Sequence, residues 1–219
     1  MLIGFGYTAG VGKDTICDYL SEKHGWIKRS FADNLKKCSS SVFNLPIEFF
    51  YDQELKKKKL DRPIPFNLYY FSSIISWMNK SVDGLYIPIN YEVYKEHMYK
   101  VFCTPRDILQ FVGTEVMRAH YSNYHIITCL NGIDVNTNYA ICDIRFPNEG
   151  EAILERGGVC VEVVSDSFLF GDNKKHASEV AMENWGRWAF RLVNKKEEGF
   201  DVLYGKIDKL LEGIKNVKG

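Results

Sequence analysis

The fold of this chain is decided by the stretch Leu2-Ile3-Gly4-Phe5-Gly6-Tyr7-Thr8-Ala9-Gly10-Val11-Gly12-Lys13-Asp14-Thr15. A short apolar run is followed by a glycine-rich turn that ends in Gly-Lys, and an amphipathic segment continues from the turn. This order predicts a buried strand, a phosphate-binding loop and a helix whose core face carries Ile16, Tyr19 and Leu20. The sequence therefore predicts a P-loop α/β protein.

The loop matches the usual pattern G-x-x-x-x-G-K-S/T only in its second half. Counting back from Gly12 puts Tyr7 where the first glycine is expected, which is tolerable if Tyr7 avoids positive φ. The second half of the pattern is intact and keeps its capacity to bind phosphate. We expect the backbone N–H groups around Gly10, Val11 and Gly12 to form an anion-binding nest, and Lys13 to reach the β and γ phosphates of ATP.

The two residues that directly follow Lys13 are candidates for a metal contact. Asp14 stands where a serine or threonine hydroxyl would ligate Mg²⁺, and Thr15 follows it at once. Both side chains offer the oxygen ligands that Mg²⁺ prefers. We expect Asp14 and Thr15 to share this contact.

Length and composition exclude several classes of protein. The 219 residues, 46% of them apolar, fit one P-loop kinase domain over residues 1–219 that carries an insertion. The 28 basic and 28 acidic residues cancel, which argues against stable nucleic-acid binding or adsorption to a membrane. The six cysteines lack C-x-x-C spacing, which favours reduced thiols over zinc, and the N-terminus has no signal-peptide pattern. We expect a soluble cytoplasmic protein.

Residues 45–103 differ in character from the rest of the chain. They are rich in Tyr, Phe and Lys, and four prolines interrupt any long periodicity, which predicts a helical, irregular insertion. The run of lysines from Lys56 to Lys59 is more often a solvated helix face than a binding patch, and we give it no role.

A helix is predicted from Thr104, as N-cap, to Arg118. At 100° per residue it has an apolar stripe and a separate polar flank. The stripe contains Ile108, Leu109, Val112 and Val116, and the flank contains Arg106, Gln110, Gly113, Thr114 and Arg118. Glycine in mid-helix costs about 1 kcal/mol relative to alanine, so we expect something to come close to the backbone at Gly113. An ordinary surface helix is the alternative.

A second polar cluster follows an apolar strand predicted at residues 139–143. Asp143 ends this strand, and Arg145 lies in the loop that opens the next helix. Because the carboxyl ends of parallel strands carry the site, we expect both side chains to point toward the phosphate loop. The alternative is a helix-capping aspartate with a surface arginine.

The remaining elements complete the predicted domain. Residues 159–164 form another buried strand, which gives a mostly parallel sheet of at least four strands. A lid-like loop is expected at 165–178, where Lys174 and Lys175 would close over the donor. A last strand at 188–193 and an amphipathic helix at 203–214 end the chain.

These features favour a small-molecule kinase. The sequence has no N-K-x-D guanine motif and no glutamine in a switch-like context. An acceptor that is itself a phosphate monoester is mostly ionised at neutral pH, with a second pKa of about 6, and needs no general base. It does need cations. Arg106, Arg118 and Arg145 suit bidentate phosphate contacts, and a well-placed arginine accelerates related transfers by about 10³ to 10⁵.

Three blocks together resemble the deoxynucleoside monophosphate kinases of bacteriophages and large DNA viruses, with a weaker match at residues 176–179. They are Gly12-Lys13-Asp14-Thr15, the set Arg106, Gln110, Gly113-Thr114 and Arg118, and Asp143-Ile144-Arg145-Phe146 with Asn148-Glu149. The resemblance implies a three-layer α/β/α P-loop kinase fold with a helical insertion. It also implies transfer of the γ-phosphoryl of ATP, with Mg²⁺, to a deoxynucleoside 5′-monophosphate, in the host cytoplasm if the protein is viral.

The resemblance also implies site residues. The donor and metal would be served by Lys13, Asp14 and Thr15. The monophosphate would be served by Arg106, Gln110, Thr114, Asp143, Arg145 and Glu149, to which we add Gly113 and Arg118 from the polar flank. The predicted catalytic residues are Lys13, Arg106, Asp143 and Arg145.

The chain departs from the family pattern at two places. Val11 stands where a serine often precedes Gly-Lys, and Tyr124-His125 stands where a tryptophan against the acceptor nucleoside is expected. We expect His125 or Tyr124 to stack on the acceptor instead; the alternative for either residue is a core or surface position.

Two other functions stay open. One is a P-loop kinase of another phosphorylated metabolite, of the dephospho-coenzyme A or phosphomevalonate type. The other is a nucleic-acid-associated P-loop ATPase, suggested by the lysine run. The sequence is also compatible with a homodimer.

Overall fold

Short strands alternate with helices along the chain. The computed structural model describes residues 1–7, 10–165 and 181–218. The strands are β1 (Leu2–Tyr7), β2 (Ile27–Arg29), β3 (Ile64–Pro65), β4 (Val101–Phe102), β5 (Tyr139–Ile144), β6 (Val159–Val164) and β7 (Phe190–Val193). The α-helices are α1 (Lys13–His24), α2 (Asp33–Phe43), α3 (Glu48–Tyr51), α4 (Leu68–Ser81), α5 (Tyr91–His97), α6 (Pro105–Phe111), α7 (Tyr124–Leu130), α8 (Pro147–Glu155) and α9 (Gly199–Lys218). Leu55–Lys57 and Lys196–Glu198 are 3₁₀ turns, and Val112–Arg118 is a π-helix.

The chain divides into two compact units. Unit 1 consists of Met1–Phe31 and Gly132–Gly219, and unit 2 of Ala32–Asn131. Unit 2 contains the whole predicted insertion at 45–103 together with the segment that follows it. The assignment of residues 1–219 to one domain with an insertion stays a prediction.

Unit 1 is built on a five-stranded sheet with the order β2-β5-β1-β6-β7. All four pairings in this sheet are parallel, and β1 lies at its centre between β5 and β6. The central strands are buried on both faces, as their continuous apolar runs predict. The prediction of a mostly parallel α/β sheet is confirmed, with one strand more than the expected minimum of four.

Helices cover both faces of this sheet. Ile3 and Phe5 are fully buried in a cluster with residues of α1 and α9. On the intervening residue Gly4, an added Cβ would collide with Ile153 Cδ1 of α8. Because successive strand residues point to opposite faces, α8 lies on the face opposite α1 and α9. Unit 1 therefore has the predicted three-layer α/β/α arrangement.

The end of β1 is closely packed and strained. A Cβ added at Gly6 would lie 2.9 Å from the backbone oxygen of Ile144 and 2.6 Å from Trp188 Cη2. The next residue, Tyr7, has a φ of 86°, so the condition set for a tolerable tyrosine at this position, a φ that is not positive, is not met. A non-glycine residue in this region stores on the order of 1–3 kcal/mol, and pairing of Tyr7 with Val163 of β6 holds it there.

Unit 2 is mainly helical. Its buried cluster contains Phe50, Phe71, Phe102 and Tyr124, among others, and β3 pairs antiparallel with β4. This agrees with the helical and irregular character predicted for the insertion. Within the described part of the chain, no helix is both long and apolar enough to cross a membrane. The six cysteines are free thiols, of which Cys103 alone is exposed.

The helix predicted from Thr104 to Arg118 is correct in its first half only. Thr104 caps α6 through a capping box, in which its Oγ1 accepts from Asp107 N at 3.1 Å and Asp107 Oδ2 accepts from Thr104 N at 2.9 Å. After Phe111 the backbone changes to a π-helix with i→i+5 hydrogen bonds. The polar flank drawn at 100° per residue therefore does not hold beyond Phe111. Such π segments occur frequently at functional sites.

The close contacts of Gly6 give a test of this packing. We expect Gly6→Ala to lower the free energy of unfolding by about 1–3 kcal/mol, because the oxygen of Ile144 that the methyl group would meet belongs to the backbone of the paired strand β5 and cannot rotate away as a flexible side chain can. Gly205 in α9 is the matched control. A Cβ there meets nothing within 4 Å, so Gly205→Ala is expected to raise stability by about 0.5–1 kcal/mol. Urea denaturation of both variants measures these changes, and a Gly6→Ala protein as stable as wild type contradicts the packing argument.

Candidate active site

The phosphate loop leads from the centre of the sheet into α1. Gly10 and Gly12 have φ values of 73° and 85°, which glycine adopts without strain. Gly12 is the N-cap of α1, and the first hydrogen bond of this helix runs from Ile16 N to Gly12 O at 3.0 Å. The first N–H groups of a helix lack intrahelical partners and lie at the positive end of its dipole. The segment from Gly10 to Lys13 thus has the geometry of an anion site, and Thr8 and Ala9 lie outside the described residues.

Lys13 is a half-buried cation beside a second cation. Burial and the Arg145 guanidinium lower the pKa of Lys13 to about 8, although Asp143 and Asp14 act in the opposite direction. The predicted residues Lys13, Asp143 and Arg145 are therefore brought together in unit 1. An anion placed there would relieve the repulsion between the two cations.

Asp143 is buried at the end of β5 and joins this strand to the end of β2. Its Oδ2 accepts a hydrogen bond from Ser30 Oγ at 2.6 Å, and its Oδ1 accepts one from Phe31 N at 2.8 Å. Asp143 is thus not a helix cap, which was the alternative. Ser30 was missed from the sequence, although it directly follows β2 and the same strand-end rule points to it.

Arg145 is exposed, and a buried carboxylate holds its backbone. Glu149, with 2% of its surface exposed, accepts hydrogen bonds through Oε2 from Arg145 N at 2.7 Å and Phe146 N at 3.1 Å. Glu149 therefore shapes the loop that carries Arg145 at the start of α8. Its predicted contact with the monophosphate stays a prediction.

The candidate metal ligands differ in their surroundings. The side chain of Asp14 is 63% exposed and lies 3.4 Å from Lys28 Nζ, which also bonds Asp18 Oδ1 at 2.8 Å. Burial lowers the pKa of Lys28, but Asp18 and Asp14 outweigh it and raise the pKa well above its ordinary value. Asp14 and Thr15 supply carboxylate and hydroxyl oxygens, which fit Mg²⁺ because this ion takes few protein ligands besides water and substrate phosphates. Among the described residues, no group of three His, Cys, Asp or Glu side chains forms a metal cage.

A cavity of about 260 Å³ adjoins the phosphate loop in unit 1. It is lined by Gly10, Gly12, Thr15, Asn194, Lys195, Gly199, Phe200 and Leu203. Phe200 is 66% exposed, which is unusual for a large apolar ring. These residues after β7 were not predicted as site residues, although Asn194 follows a strand end in the same way as Ser30.

Unit 2 carries the second predicted group. Arg106, Gln110 and Thr114 are half-buried, and Arg118 Nη1 donates to Ser122 O at 3.3 Å. The predicted close approach at Gly113 is made by Leu35, because an added Cβ would lie 2.8 Å from Leu35 Cδ2. Packing within unit 2 thus explains this glycine. The substrate roles of Arg106, Gln110, Gly113, Thr114 and Arg118 stay predictions.

Tyr124 and His125 belong to the core of unit 2. Tyr124 is fully buried, and its hydroxyl donates to Asn34 Oδ1 at 2.9 Å. His125 is 3% exposed, and its Nε2 lies 3.3 Å from Gly113 O. The core interpretation therefore fits both rings better than stacking on a substrate. Lys174 and Lys175, with the lid-like loop that carries them, lie outside the described residues.

Comparisons with known proteins bear on this site. No family model matches the chain. A protein of Acanthamoeba polyphaga mimivirus, provisionally named deoxynucleotide monophosphate kinase, is 28% identical over 225 aligned positions that cover 95% of this chain and 96% of its own. The deoxynucleoside-5′-monophosphate kinase of Escherichia phage T5 is 27% identical over 211 positions, 82% of this chain and 84% of its own. The chain resembles the deoxynucleoside monophosphate kinases of phages and large DNA viruses.

The resemblance to these kinases, expected from three motif blocks, is thus confirmed over most of the chain length. Among solved structures, the dephospho-CoA kinase of Campylobacter jejuni aligns with 100% of this chain and 98% of its own at 13% identity, with a TM-score of 0.41.

The pKa of Lys13 gives a stability test. Between pH 8 and 10.5 the unfolded chain binds more protons at this residue than the folded protein does, so this group makes wild-type stability rise with pH. We expect Lys13→Met to be more stable than wild type at pH 7, with a difference that declines from pH 8 to 10.5. Urea denaturation at several pH values measures this. Lys209→Met, on the exposed face of α9, controls for the loss of one positive charge, and a Lys13→Met protein no more stable than wild type at pH 7 contradicts the burial argument.

Proposed function

We propose that this chain is a nucleotide kinase that transfers the γ-phosphoryl group of ATP to a deoxynucleoside 5′-monophosphate, giving ADP and a deoxynucleoside diphosphate. The observation that carries the proposal is the cluster of Lys13, Asp143 and Arg145 beside the phosphate loop, where burial and a second cation lower the pKa of Lys13. Similarity to two proteins named as deoxynucleotide or deoxynucleoside monophosphate kinases supports the choice of acceptor.

The donor triphosphate would lie on the phosphate loop. The N–H groups at the start of α1 would bind the β-phosphate oxygens, and Lys13 would reach the β and γ phosphates. The ammonium and the N–H groups would offset the charge that develops on the β–γ bridging oxygen as the bond to the γ-phosphorus breaks. Lys174 and Lys175 would add charge over the donor.

The acceptor phosphate would supply the nucleophile itself. A monophosphate oxygen is already ionised at neutral pH, so it forms its bond to the γ-phosphorus without a general base. Arg145 would then stabilise the transferred group, and Arg106 would hold the acceptor phosphate through bidentate contacts. Asp143 would keep the strand end that carries Arg145 in place through Ser30 and Phe31.

Bound Mg²⁺ would neutralise charge on the β and γ phosphate oxygens of the donor. Asp14 and Thr15 would hold it. Asp14 also contacts Lys28, so its carboxylate would exchange part of that ion pair for the metal.

The base of the donor would occupy the part of the cavity that Phe200 lines. Phe200 offers an exposed ring there, and stacking of a base on an aromatic ring contributes about 1–3 kcal/mol.

Direct assay tests the reaction. Purified protein with Mg-ATP should form a diphosphate from at least one of dTMP, dGMP, dCMP or dUMP. Product formed only from dephospho-coenzyme A or phosphomevalonate would assign another acceptor to the same site. Hydrolysis of ATP that depends on DNA, with no phosphorylated small product, would refute the proposal.

Arg145 is the sharpest kinetic test of the transfer step. We expect Arg145→Ala to lower kcat/KM by at least about 100-fold, since removal of a group aimed at developing charge costs about 2.7–4 kcal/mol. Arg191→Ala, in which the replaced side chain is 66% exposed and pairs with Glu162, is the matched control. A folded Arg145→Ala enzyme with a near wild-type rate would rule out this role.

Phe200 tests the donor cavity separately. We expect Phe200→Ala to raise the KM for ATP at least about fivefold with little change in kcat, and Phe200→Tyr to restore it, because the tyrosine ring stacks in the same way. Val202→Ala, at a residue 44% exposed in the same helix and not lining the cavity, should match wild type. An unchanged KM for ATP in Phe200→Ala would exclude the ring from donor binding.

A further inference from the structure

Asn194 links the phosphate loop to the edge of the sheet. It directly follows β7, and its backbone N donates to Val164 O at 2.8 Å. Its side-chain Nδ2 donates to Val11 O at 2.9 Å, across 183 residues of sequence. A peptide carbonyl only accepts hydrogen bonds, so the amide must present its NH₂ group to the loop.

The contact between Asn194 and the loop is close. A Cβ added at Gly12 would lie 2.6 Å from Asn194 Nδ2, and Gly12 has positive φ as well. Both observations restrict this position to glycine. The amide therefore packs directly against the Val11–Gly12 peptide.

The hydrogen bond also determines how this peptide is oriented. The C=O and N–H groups of a trans peptide point in opposite directions. Because Asn194 holds the Val11 carbonyl on its own side, the Gly12 N–H points away from Asn194. If the peptide turned over, a carbonyl oxygen with partial negative charge would replace that N–H.

The residues on either side of Val11 allow its peptide groups more than one orientation. Gly10 and Gly12 flank Val11, and glycine reaches both signs of φ about equally readily. Asn194, in contrast, follows a strand whose last residues pair with β6 through Leu192–Val163 and Val193–Val164. Lys206 of α9 also donates to Val193 O at 3.0 Å.

We infer that Asn194 is a positioning residue for the donor phosphates: its amide fixes the Val11–Gly12 peptide so that the Gly12 N–H faces the bound triphosphate. This inference rests on the proposed function in one respect, that the loop binds the phosphates of ATP. It assigns Asn194 to the polyphosphate of the donor and not to its base or to the acceptor.

The test separates these parts of the ligand. Calorimetry measures the binding of ATP, inorganic tripolyphosphate and adenosine to the 219-residue chain in one Mg²⁺ buffer. Asn194→Asp keeps the shape of the side chain but cannot donate to Val11 O, and it adds a negative charge. We expect it to weaken tripolyphosphate and ATP at least about tenfold, and adenosine little. Asn194→Ala should weaken the same two ligands by a smaller factor, about threefold.

Asn136→Asp is the matched control. It makes the same chemical change at an exposed residue just before β5, where the parallel strands begin and not where they end. It should leave all three affinities unchanged. Thermal melting of each variant shows whether it is folded, and Asn194→Ala decides the question if Asn194→Asp does not fold.

Two results would overturn the inference while leaving the proposed function intact. One is wild-type affinity for tripolyphosphate in Asn194→Ala, since the charge added in Asn194→Asp would by itself weaken the binding of a polyanion. The other is a loss of adenosine binding equal to the loss of ATP binding, which would place Asn194 on the nucleoside. A wild-type protein that binds neither ATP nor tripolyphosphate would overturn the proposed function and this inference together.

Discussion

Two positive charges are held close together at the end of the central strands. The Lys13 ammonium is half-buried, and the Arg145 guanidinium lies close enough to lower its pKa further. Moving apart would relieve the repulsion, but neither backbone is free to move. Lys13 is the first residue of α1, whose Ile16 and Leu20 are buried in the core, and Arg145 directly follows β5, which pairs with β1. Asp143 offsets part of the charge, and its own carboxylate is bound to Ser30 and Phe31. A polyanion would offset the rest, so the free protein is less stable than the anion-bound one by the free energy of binding.

The end of β1, in unit 1, is also closely packed and strained. Gly6 packs so tightly against Ile144 that a methyl group does not fit, and Tyr7 is held at positive φ where the usual motif has glycine. A residue persists in such a conformation only when its surroundings impose it, and strain of this kind is concentrated at binding sites. Here pairing with Val163 of β6 imposes the conformation of Tyr7. The backbone at the end of β1 therefore keeps the positive φ that the glycine of the usual motif would adopt, although the residue here is tyrosine.

The sequence predicted the strands, loop and helix that form the site better than the backbone conformations and long-range hydrogen bonds that hold them in place. The strand, loop and helix at residues 2–24 follow from an apolar run, glycines and helical periodicity, and the apolar run at 159–164 marks β6 with the right bounds. The positive φ of Tyr7 and the π-helix after Phe111 were not predictable, because tertiary packing imposes them against local preference. Ser30 and Asn194 were missed because their partners, Asp143 and Val11, are more than a hundred residues away. Their positions directly after β2 and β7 obey the strand-end rule, which was applied only after β5.

Two carboxylates near the end of β5 have structural tasks that their charge alone would not suggest. Glu149 binds the N–H groups of Arg145 and Phe146 and so shapes the first turn of α8, while Asp143 ties β5 to the edge strand β2. Arg145 lies between them in sequence, with an exposed side chain on a backbone anchored from both sides. A long side chain on a rigid base loses less conformational entropy on binding an anion than one on a loose loop. In the proposed site, the acidic residues of this segment would therefore contribute to anion binding indirectly, by fixing the backbone from which the cation extends.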